Sequence, residues 1–506
     1  MQRAEPKTPR TNRERTEATS KALLDAARAL FVDKGYGETS TPEISAAAGT
    51  NGARIVDFQQ AFVDDSLYET AVMPDGRIVA AGIAGVTPFD VTPNQNRLAV
   101  ARLLADGTPD PGFGDGFGRL VVPGTVQHAD GSFHPYALAL QTDGKIVVAG
   151  TYIGPDSNAN DFLVVRVRAD GSGLDPTFAT NGVRVIPFDL GGGNIDVATS
   201  VAVQPDGRIV VLGSVRTGAV ASDMALVRLM PDGAFDVSFD GDGRRLVTFG
   251  LTGSDGSSYD NAGALALQPD GKIIVAGQAS SANGYDTVVA RLMPNGALDA
   301  AFGNYLTGRT RLTYLAGRMS GARDVAISEL AIDPNHTSRR IVVAGNSQTN
   351  SVDAFALAVL KDDGTLDAGF SGDGKLLIPF DGPSESTAVA TSVAIQAGWR
   401  RVGSLLVHYR QIVAGGYVAS ASGESHFEIA LARANFDGSL DAAFGNGGKS
   451  RFTSNHFSLF GPPASCFGQS IARQGAQLIV GASCRSRLGN VWGPQKFAWM
   501  RAVLDE

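Results

Sequence analysis

The sequence is poor in the residues from which metal sites and reactive centres are usually built. Its 506 residues include only two cysteines and six histidines, at positions 128, 134, 336, 408, 426 and 456. None of the histidines forms an HExxH motif or a pair with metal-ligand spacing. The sequence also lacks a G-x-S-x-G nucleophile elbow and a Walker phosphate loop. It therefore predicts no metal, no cofactor and no enzymatic activity.

Long apolar runs are missing as well. No run approaches the roughly 20 residues that a membrane span needs, so no span is predicted. Residues 1–21, MQRAEPKTPRTNRERTEATSK, are polar and lack the apolar core of a secretory signal. On that ground the sequence predicts a cytoplasmic protein.

Charge is low and unevenly placed. Charged residues make up 19% of the chain and the net charge is −8. Residues 1–49 hold eight Lys or Arg and seven Asp or Glu, so the remainder carries −9. An acidic body of this kind is a poor general ligand for nucleic acid.

Glycine, in contrast, is abundant, with 62 residues, and it recurs inside a repeated phrase. GRIVAAG, GKIVVAG, GRIVVLG and GKIIVAG end at Gly82, Gly150, Gly213 and Gly277. RRIVVAG, RQIVAGG and AQLIVGA follow, with their first phrase glycines at 345, 415 and 481. Steps of 63 to 70 residues indicate one supersecondary unit that is copied seven times.

Each copy is predicted to contain four β-strands. The copy near residue 260 reads AGALALQ, KIIVAGQ, DTVVARLM and TRLTYLA, separated by segments rich in Gly, Pro, Asp and Asn. Pro269-Asp270-Gly271 fits a three-residue hairpin loop with glycine in the left-handed conformation. The sequence thus predicts an all-β fold: a seven-bladed β-propeller of four-stranded antiparallel blades over residues 50–506. A short two-helix segment is predicted to precede it.

The two ends of the repeat region complement each other. The last copy supplies the three strands GQSIARQ, QLIVGAS and KFAWMRAVL, whereas NGARIVDF near residue 55 is a fourth-strand phrase without the first three. We therefore expect residues 53–58 to complete the blade formed by residues 467–504. This pairing would remove an open sheet edge.

A second phrase, Asp-x-x-Phe, occurs in six copies. Its occurrences are Asp110/Phe113, Asp175/Phe178, Asp236/Phe239, Asp299/Phe302, Asp367/Phe370 and Asp441/Phe444. Six copies argue against a catalytic carboxylate. We expect the Asp to cap a turn through its own backbone and the Phe to fill the space between neighbouring blades.

The repeat phrases resemble a known family. PDGKIIVAG followed by ARLMPNGALDAAFG is similar to the delta-60 repeat of bacterial β-propeller proteins, over roughly residues 50–506. The resemblance implies the propeller fold and, often, an exported protein, and it implies no known substrate.

Residues 10–49 resemble a different class, the helix-turn-helix of TetR-type repressors. In ATSKALLDAARALFVDKGY, Leu23, Ala27 and Leu30 lie on one helical face, and Gly35 ends the helix. Ser40 and Glu43 form a capping box for a second helix that runs to about residue 48. The resemblance stops before the recognition helix, because residues 50–55 read as the propeller's entry strand. We interpret the segment as a truncated fragment acquired by gene fusion.

The TetR-like fragment supplies the candidate DNA-binding residues Arg10, Arg13, Arg15, Lys21, Thr39 and Thr41. Phosphate contacts alone give weak, non-specific binding. The first interpretation is a solvated arm with such weak contacts. The alternative, operator-specific binding, would require residues 51–62 to form the missing helix.

Three further groups offer weaker signals. His128 and His134 share a predicted loop with Asp130. We interpret them as ordinary loop residues; the alternative is a metal site. Asp240-Gly241-Asp242-Gly243 lacks the spacing and closing Glu of a calcium loop and indicates a turn. The insert at 397–410 is predicted to be a long hairpin loop or, alternatively, a surface that binds nucleic acid or a protein partner. Its basic and aromatic residues are Trp399, Arg400, Arg401, His408, Tyr409 and Arg410.

The two cysteines are candidates for a disulfide. If the last hairpin turns at Gln474-Gly475-Ala476, Arg473 faces Gln477 and Cys466 faces Cys484. Facing residues of antiparallel strands lie close enough for a disulfide. The alternative is two buried free thiols. A disulfide would favour propeller ancestry outside the cytosol.

Three functions remain open. The first is a non-enzymatic binding or scaffold protein with an unknown protein or carbohydrate ligand on one loop face. That face would comprise residues 83–97, 123–135, 151–160, 250–262, 416–425 and 484–496. The second is a TetR-type DNA-binding transcriptional regulator, and the third is a propeller hydrolase or lyase.

Overall fold

The computed structural model describes most of the repeat region. The described residues are 54–503, apart from interruptions at 57, 59–64, 85–96, 123–131, 155–159, 192, 194, 283, 304–306, 334–335, 350–351, 381–384, 403–404, 421–426, 453–464, 475–476 and 489–490. The two predicted N-terminal helices lie outside the described residues. Within the described residues, strands are the regular elements and no helix occurs.

The strands alternate with short turns throughout. In chain order they are β1 (Arg54–Val56), β2 (Asp65–Val72), β3 (Ile78–Ala84), β4 (Arg97–Leu103), β5 (Arg119–Val121), β6 (Ser132–Leu140), β7 (Ile146–Ile153), β8 (Asn160–Val167), β9 (Val183–Ile186), β10 (Val197–Val203), β11 (Ile209–Gly218), β12 (Ala221–Leu229), β13 (Arg244–Val247) and β14 (Ser258–Leu267). They continue with β15 (Ile273–Ser281), β16 (Gly284–Leu292), β17 (Arg309–Leu312), β18 (Ser320–Asp333), β19 (His336–Gln348), β20 (Asp353–Lys361), β21 (Lys375–Ile378), β22 (Glu385–Val402), β23 (Leu405–Ser420), β24 (Phe427–Asn435), β25 (Lys449–Phe452), β26 (Ser465–Gln474), β27 (Gln477–Leu488) and β28 (Val491–Val503).

These strands form propeller-like, four-stranded antiparallel units. Five sheets have the hydrogen-bonded orders β2-β3-β4-β5, β6-β7-β8-β9, β18-β19-β20-β21, β22-β23-β24-β25 and β1-β28-β27-β26. A further sheet joins two units, β10–β13 and β14–β17. The joint is a short parallel pairing of Ala221 with Ser258 and of Ser222 with Tyr259. The all-β, antiparallel architecture expected from the repeats is therefore present.

The first described strand belongs to the same sheet as the last. Arg54 pairs with Trp499, Ile55 with Ala498 and Val56 with Phe497, so β1 is the fourth strand of the unit that β26–β28 begin. Ser483 of β27 links this unit to β2 of the next sheet, since its Oγ accepts a hydrogen bond from the Leu67 N–H at 2.9 Å and donates one to the Leu67 carbonyl at 3.0 Å. Chain segments more than 400 residues apart are thus held together.

The repeated glycine is required because the backbones of the first and second strands approach each other closely. In the unit β10–β13, Gly213 pairs with Ala198 beside a β-bulge between Ala198 and Ser200. A Cβ at Gly213 would collide with the Val197 carbonyl oxygen and the Phe162 ring. A first-strand carbonyl oxygen blocks a Cβ in the same way at Gly82, Gly150, Gly277, Gly345 and Gly416. The glycine therefore marks the bulge rather than a turn.

The hydrophobic core lies between neighbouring sheets. All seven residues of β3 are buried, and so are the first seven of β7, because second and third strands are covered on both faces. Phe113, Phe178, Phe239, Phe302 and Phe370 are among the largest fully buried side chains. As expected, the motif Phe fills the space between units.

The motif Asp caps its turn as expected, and the arginine that it binds joins neighbouring units. Asp236 Oδ1 accepts a 3.0 Å hydrogen bond from the Ser238 N–H, and its Oδ2 forms a 2.7 Å ion pair with Arg228 Nε. Arg228 lies over the Phe239 ring at 4.8 Å and donates through Nη1 to the Pro294 carbonyl of the next unit. Arg102, Arg166 and Arg291 make the equivalent bonds to the carbonyls of Ala169, Pro231 and Asp362.

Two of the sequence-based assignments require correction. The insert at 397–410 is not a loop: β22 continues to Val402 and β23 begins at Leu405, so its backbone groups are paired along an extended hairpin. The side chains of Trp399, Arg400, Arg401 and His408 lie outside the described residues. His134 is a strand residue of β6, where burial lowers its pKa, whereas His128 and Asp130 lie outside the described residues.

Candidate ligand-binding pocket

The two ends of the sheets differ in their connections. One end carries the loops between first and second strands, such as 269–271, and the Asp-x-x-Phe connections; we call it the "turn end". The opposite end carries the hairpins between second and third strands, such as 216–221, and the crossovers to the next unit, such as 248–257; we call it the "crossover end". Of the loops assigned to a ligand-binding face in the sequence, 250–262 lies at the crossover end, and each of the other five includes residues outside the described ones.

A pocket opens at the crossover end between the units β10–β13 and β14–β17. Its volume is about 340 Å³, within the range of small-molecule sites. Its polar and aromatic lining consists of Ser214, Arg216, Ser222, Tyr259, Asn261 and Tyr285, and Ile195 and Val197 complete it. Ile195 precedes β10, and the other residues come from the ends of β10, β11, β12, β14 and β16.

Strand pairing brings the pocket residues together. Arg216 of β11 pairs with Ser222 of β12, and Ser222 pairs in turn with Tyr259 of β14. The Arg216 guanidinium carbon lies 5.3 Å from the centroid of the Tyr259 ring, which is cation–π geometry. The parallel joint between the two units therefore places a cation and an aromatic face at one site.

The remaining polar groups of the pocket are oriented by hydrogen bonds. Ser214 Oγ accepts from the Ala262 N–H at 2.9 Å, and Ser222 Oγ donates to Asn261 Oδ1 at 3.1 Å. Arg216 Nη1 donates to the Ala219 carbonyl at 3.2 Å. These bonds cross between units or close the adjacent hairpin, so the pocket is largely preformed.

Two buried carboxylates support the pocket from behind. Asp196 is 2% exposed and Asp260 is fully buried. Asp196 accepts from the backbone N–H groups of Phe188 (3.2 Å) and Arg216 (3.3 Å), and Asp260 accepts from Phe249 N–H at 2.6 Å. Each Asp lies at the start of the first strand of its unit. Its hydrogen bond thus links that strand to the segment that follows the fourth strand of the preceding unit.

Burial shifts the titration of both carboxylates. Burial, with smaller contributions from the charges of Asp161 and Asp189, raises the pKa of Asp196 to about 6. Burial, together with the nearby Asp223, raises the pKa of Asp260 to about 6. Their backbone hydrogen bonds position the strands that carry the pocket residues.

The same repeat position carries other residues elsewhere. Counted from the bulge, Asp65 occupies it in β2 and is fully buried, and Cys466 occupies it in β26. Cys466 and Cys484 form a disulfide, with Cα atoms 4.2 Å apart and both side chains buried. The disulfide thus stands where other units hold a buried carboxylate.

The register that pairs the cysteines differs in detail from the one counted in the sequence. Gln474, not Arg473, pairs with Gln477, so the hairpin turn is shorter by one residue. A bulge between Gly468 and Ser470 then adds one residue to β26. Two shifts of opposite sign cancel, and Cys466 faces Cys484. The sequence count did not include this bulge.

Glu69 of β2 and Asp324 of β18 form a second pair of acidic residues, each on the first strand of its unit. Burial raises the pKa of Glu69 to about 8, with a further contribution from the charge of Asp324, and burial raises the pKa of Asp324 to about 6. Asp324 Oδ2 accepts from Ser392 Oγ (3.0 Å) and Val393 N–H (2.7 Å), which links β18 to β22. These partners give Asp324 a structural role.

The remaining predicted residues are placed as follows. Arg10, Arg13, Arg15, Lys21, Thr39 and Thr41 lie outside the described residues. Asp240 forms an ion pair with Arg245 and Asp242 caps its own turn, in keeping with turn chemistry. In the described part of the chain, no cluster of three or more His, Cys, Asp or Glu has metal-binding geometry. Across those residues no helical segment has the length and apolarity to traverse a bilayer.

Sequence reasoning missed the pocket residues themselves. Tyr259 and Asn261 fall within the predicted loop 250–262, but the structure assigns them to β14. Arg216, Ser222 and Tyr285 were not singled out.

Comparison with protein families agrees with the repeat reading. Residues 74–113, 141–178, 204–239, 268–302 and 338–370 match the model of a domain of unknown function (DUF5122) beta-propeller. Residues 23–56 match the model of bacterial regulatory proteins, tetR family. Both resemblances found in the sequence are thereby confirmed. The TetR match ends at residues that the structure shows as strand β1.

Solved structures that match the chain include proteins of low sequence identity. The extracellular domains 1-2 of Drosophila Semaphorin 1a are 11% identical, with 90% of this chain and 89% of that chain covered and a TM-score of 0.42. A Hadza microbial sialidase is 12% identical, at 81% and 74% coverage and a TM-score of 0.36. Pyrococcus horikoshii acylaminoacyl peptidase is 10% identical, at 88% and 54% coverage and a TM-score of 0.38. No curated protein matches the chain.

Proposed function

We propose that this chain, whose repeats are those of a DUF5122 β-propeller, is a non-enzymatic binding protein. Its ligand docks at the crossover end, in the pocket around Arg216 and Tyr259. The observation that supports this proposal is the convergence of a guanidinium, two tyrosines and three small polar side chains in one preformed cavity. Concave sites with a few convergent polar groups are the usual form of ligand sites.

The proposal includes a closed ring of seven blades. Each four-stranded unit is one blade, and the joined sheet supplies two. Closure is supported by the pairing of β1 with β28 and by the two hydrogen bonds between Ser483 and Leu67. A closed ring has no open sheet edge, and its loops are held at fixed positions around one end.

The surroundings of the pocket also favour docking. Ile195, Val220 and Met319 are 42%, 56% and 37% exposed, and all three lie in crossover-end loops near the pocket. Large exposed apolar side chains around a polar cavity are typical of interaction sites. A ligand that fills the pocket would therefore extend over an apolar rim.

The proposal can be tested with the full chain and a panel of saccharides and peptides. The readout is the rise in melting temperature that accompanies binding to the folded state. Tyr259→Ala should abolish the response to every compound that stabilises the wild type. Phe117→Ala is the matched control, because Phe117 is 65% exposed at the turn end. Equal responses of the two variants would refute the site.

A second candidate function is DNA binding through the TetR-like segment, which the match at residues 23–56 favours. Retention of duplex DNA by the full chain should be compared with a variant carrying Gln at Arg10, Arg13, Arg15 and Lys21. A chain that begins at Thr50 gives the baseline. Operator-specific binding requires retention of one sequence over others at moderate salt. Identical retention by all three proteins would remove this function.

The disulfide bears on where the propeller matures. Disulfides such as Cys466–Cys484 form and persist in oxidising compartments and are rare in the cytosol. It therefore supports an exported propeller ancestry over the cytoplasmic location expected from residues 1–21.

A further inference from the structure

The polar groups of the pocket are mainly donors. The Asn261 carboxamide oxygen already accepts from Ser222 Oγ, so the N–H groups of this amide remain to donate to a ligand. Ser214 Oγ accepts from a backbone N–H, which leaves its hydroxyl hydrogen to donate. Arg216 has donors only. A complementary ligand is therefore rich in acceptor oxygens.

The charge of Arg216 is not neutralised within the site. Among the described residues, no carboxylate lies within ion-pair distance of its guanidinium, whereas Arg102, Arg166, Arg228 and Arg291 each pair with an Asp. Asp196 and Asp260, which support the pocket strands, are buried and accept from backbone N–H groups instead. Asp223 directly follows Ser222 and pairs with Val215, so it lies on the opposite face of β12 from Ser222. An anionic group of the ligand would supply the missing partner.

The aromatic lining adds a requirement for shape. Tyr259 and Tyr285 contribute flat, partly apolar faces beside the donors. A flat ring with one apolar face and many oxygens at its edge, such as a pyranose, matches this combination. A volume of about 340 Å³ suits a short saccharide rather than a folded domain.

We propose that the pocket binds an acidic saccharide whose uronate carboxylate pairs with Arg216 while the sugar ring lies against Tyr259. This inference rests on the proposed function and specifies its ligand class. The carboxylate forms a bidentate pair with the guanidinium, and the ring hydroxyls accept from Asn261 and Ser214.

The test is isothermal titration of the full chain with trigalacturonate and with its methyl ester, which differs in the carboxylate charge. Trigalacturonate should bind at least tenfold more tightly than the ester. Arg216→Gln should remove that difference, and Tyr259→Ala should weaken binding of both compounds. Arg168→Gln is the control, because Arg168 is exposed at the turn end and should leave both affinities unchanged. Melting curves verify that each variant is folded.

The outcomes separate this inference from the proposed function. Equal affinity for acid and ester, or an unchanged affinity in Arg216→Gln, would overturn the acidic class while a Tyr259-dependent site stands. Absence of binding by both sugars would also overturn the saccharide class. The proposed function would then depend on the panel of saccharides and peptides. If a peptide stabilises the wild type and not Tyr259→Ala, the binding function at this pocket stands.

Discussion

Arg228 Nε lies 2.7 Å from Asp236 Oδ2, and both side chains are less than 10% exposed. This ion pair connects a third strand to the Asp-x-x-Phe turn of its own unit, and the same arginine reaches the Pro294 carbonyl of the next unit. The third-strand arginine pairs with the motif Asp in five of the six copies, whereas Asp367 pairs with Arg340 of a second strand. The recurrence of the motif therefore has a structural reason.

Loss of the buried pair should be costly. Asp236→Asn leaves the Arg228 charge buried without its partner, and we expect the free energy of unfolding to fall by about 3–5 kcal/mol. Asp206→Asn is the control, since Asp206 is 51% exposed and pairs with the partly exposed Arg208, and it should cost less than about 1 kcal/mol. Urea unfolding measures both. Similar losses in the two variants would contradict a structural role for the motif.

The repeated glycine should not tolerate a methyl group. In Gly213→Ala the new Cβ meets the Val197 carbonyl oxygen and the Phe162 ring, so the bulge must shift. We expect a loss of about 1–3 kcal/mol in thermal or urea unfolding, as for overpacked cores. At Gly218 the nearest atom to an added Cβ is 3.4 Å away, so Gly218→Ala should be nearly neutral. A neutral Gly213→Ala would show that the backbones need not approach closely.

The disulfide should stabilise the folded chain. Cys466 and Cys484 are 18 residues apart, and cross-links over loops of about this length contribute about 3 kcal/mol. Reductant should therefore lower the melting temperature of the wild type and leave that of a Cys466→Ser, Cys484→Ser double variant unchanged. Maleimide labelling of the unfolded, non-reduced wild type should be absent. Labelling of both thiols would instead indicate free cysteines.

The buried carboxylate near the pocket predicts a pH dependence with a defined sign. The pKa of Asp196 is about 6 in the folded chain, against an ordinary value near 4, so the folded state binds more protons between these values. The stabilising contribution of the protonated group is then present below pH 4 and is lost as the pH rises to 6. Asp196→Asn removes this group from titration.

The measurement is urea unfolding of both proteins at several pH values from 4 to 7. The stability of Asp196→Asn relative to wild type should increase with pH up to about 6 and then level off. Asp206→Asn serves as a control for an exposed carboxylate. A difference that stays constant over the range would show that Asp196 titrates normally.

Much of the fold could be predicted from the sequence because its signals are local. The turn at Pro269-Asp270-Gly271 has the predicted three-residue form, with the Gly271 N–H donating to Gln268 and a φ of +81°. The Asp-x-x-Phe capping is equally local, since Asp236 Oδ1 bonds a residue two positions on. By contrast, the strand extension to Val402 was missed, because its charged and aromatic residues have no clear turn boundary.

The amino-acid sequence by itself determined the repeat, its strands and its turns, because strand alternation, turn glycines and self-capping aspartates act over a few neighbouring residues. Tertiary structure alone decided the pocket. Arg216 and Tyr259 are distant in the chain and belong to different units, and they meet only because β12 and β14 run side by side. A site built across a sheet joint depends on packing between units, which no single copy of the repeat encodes.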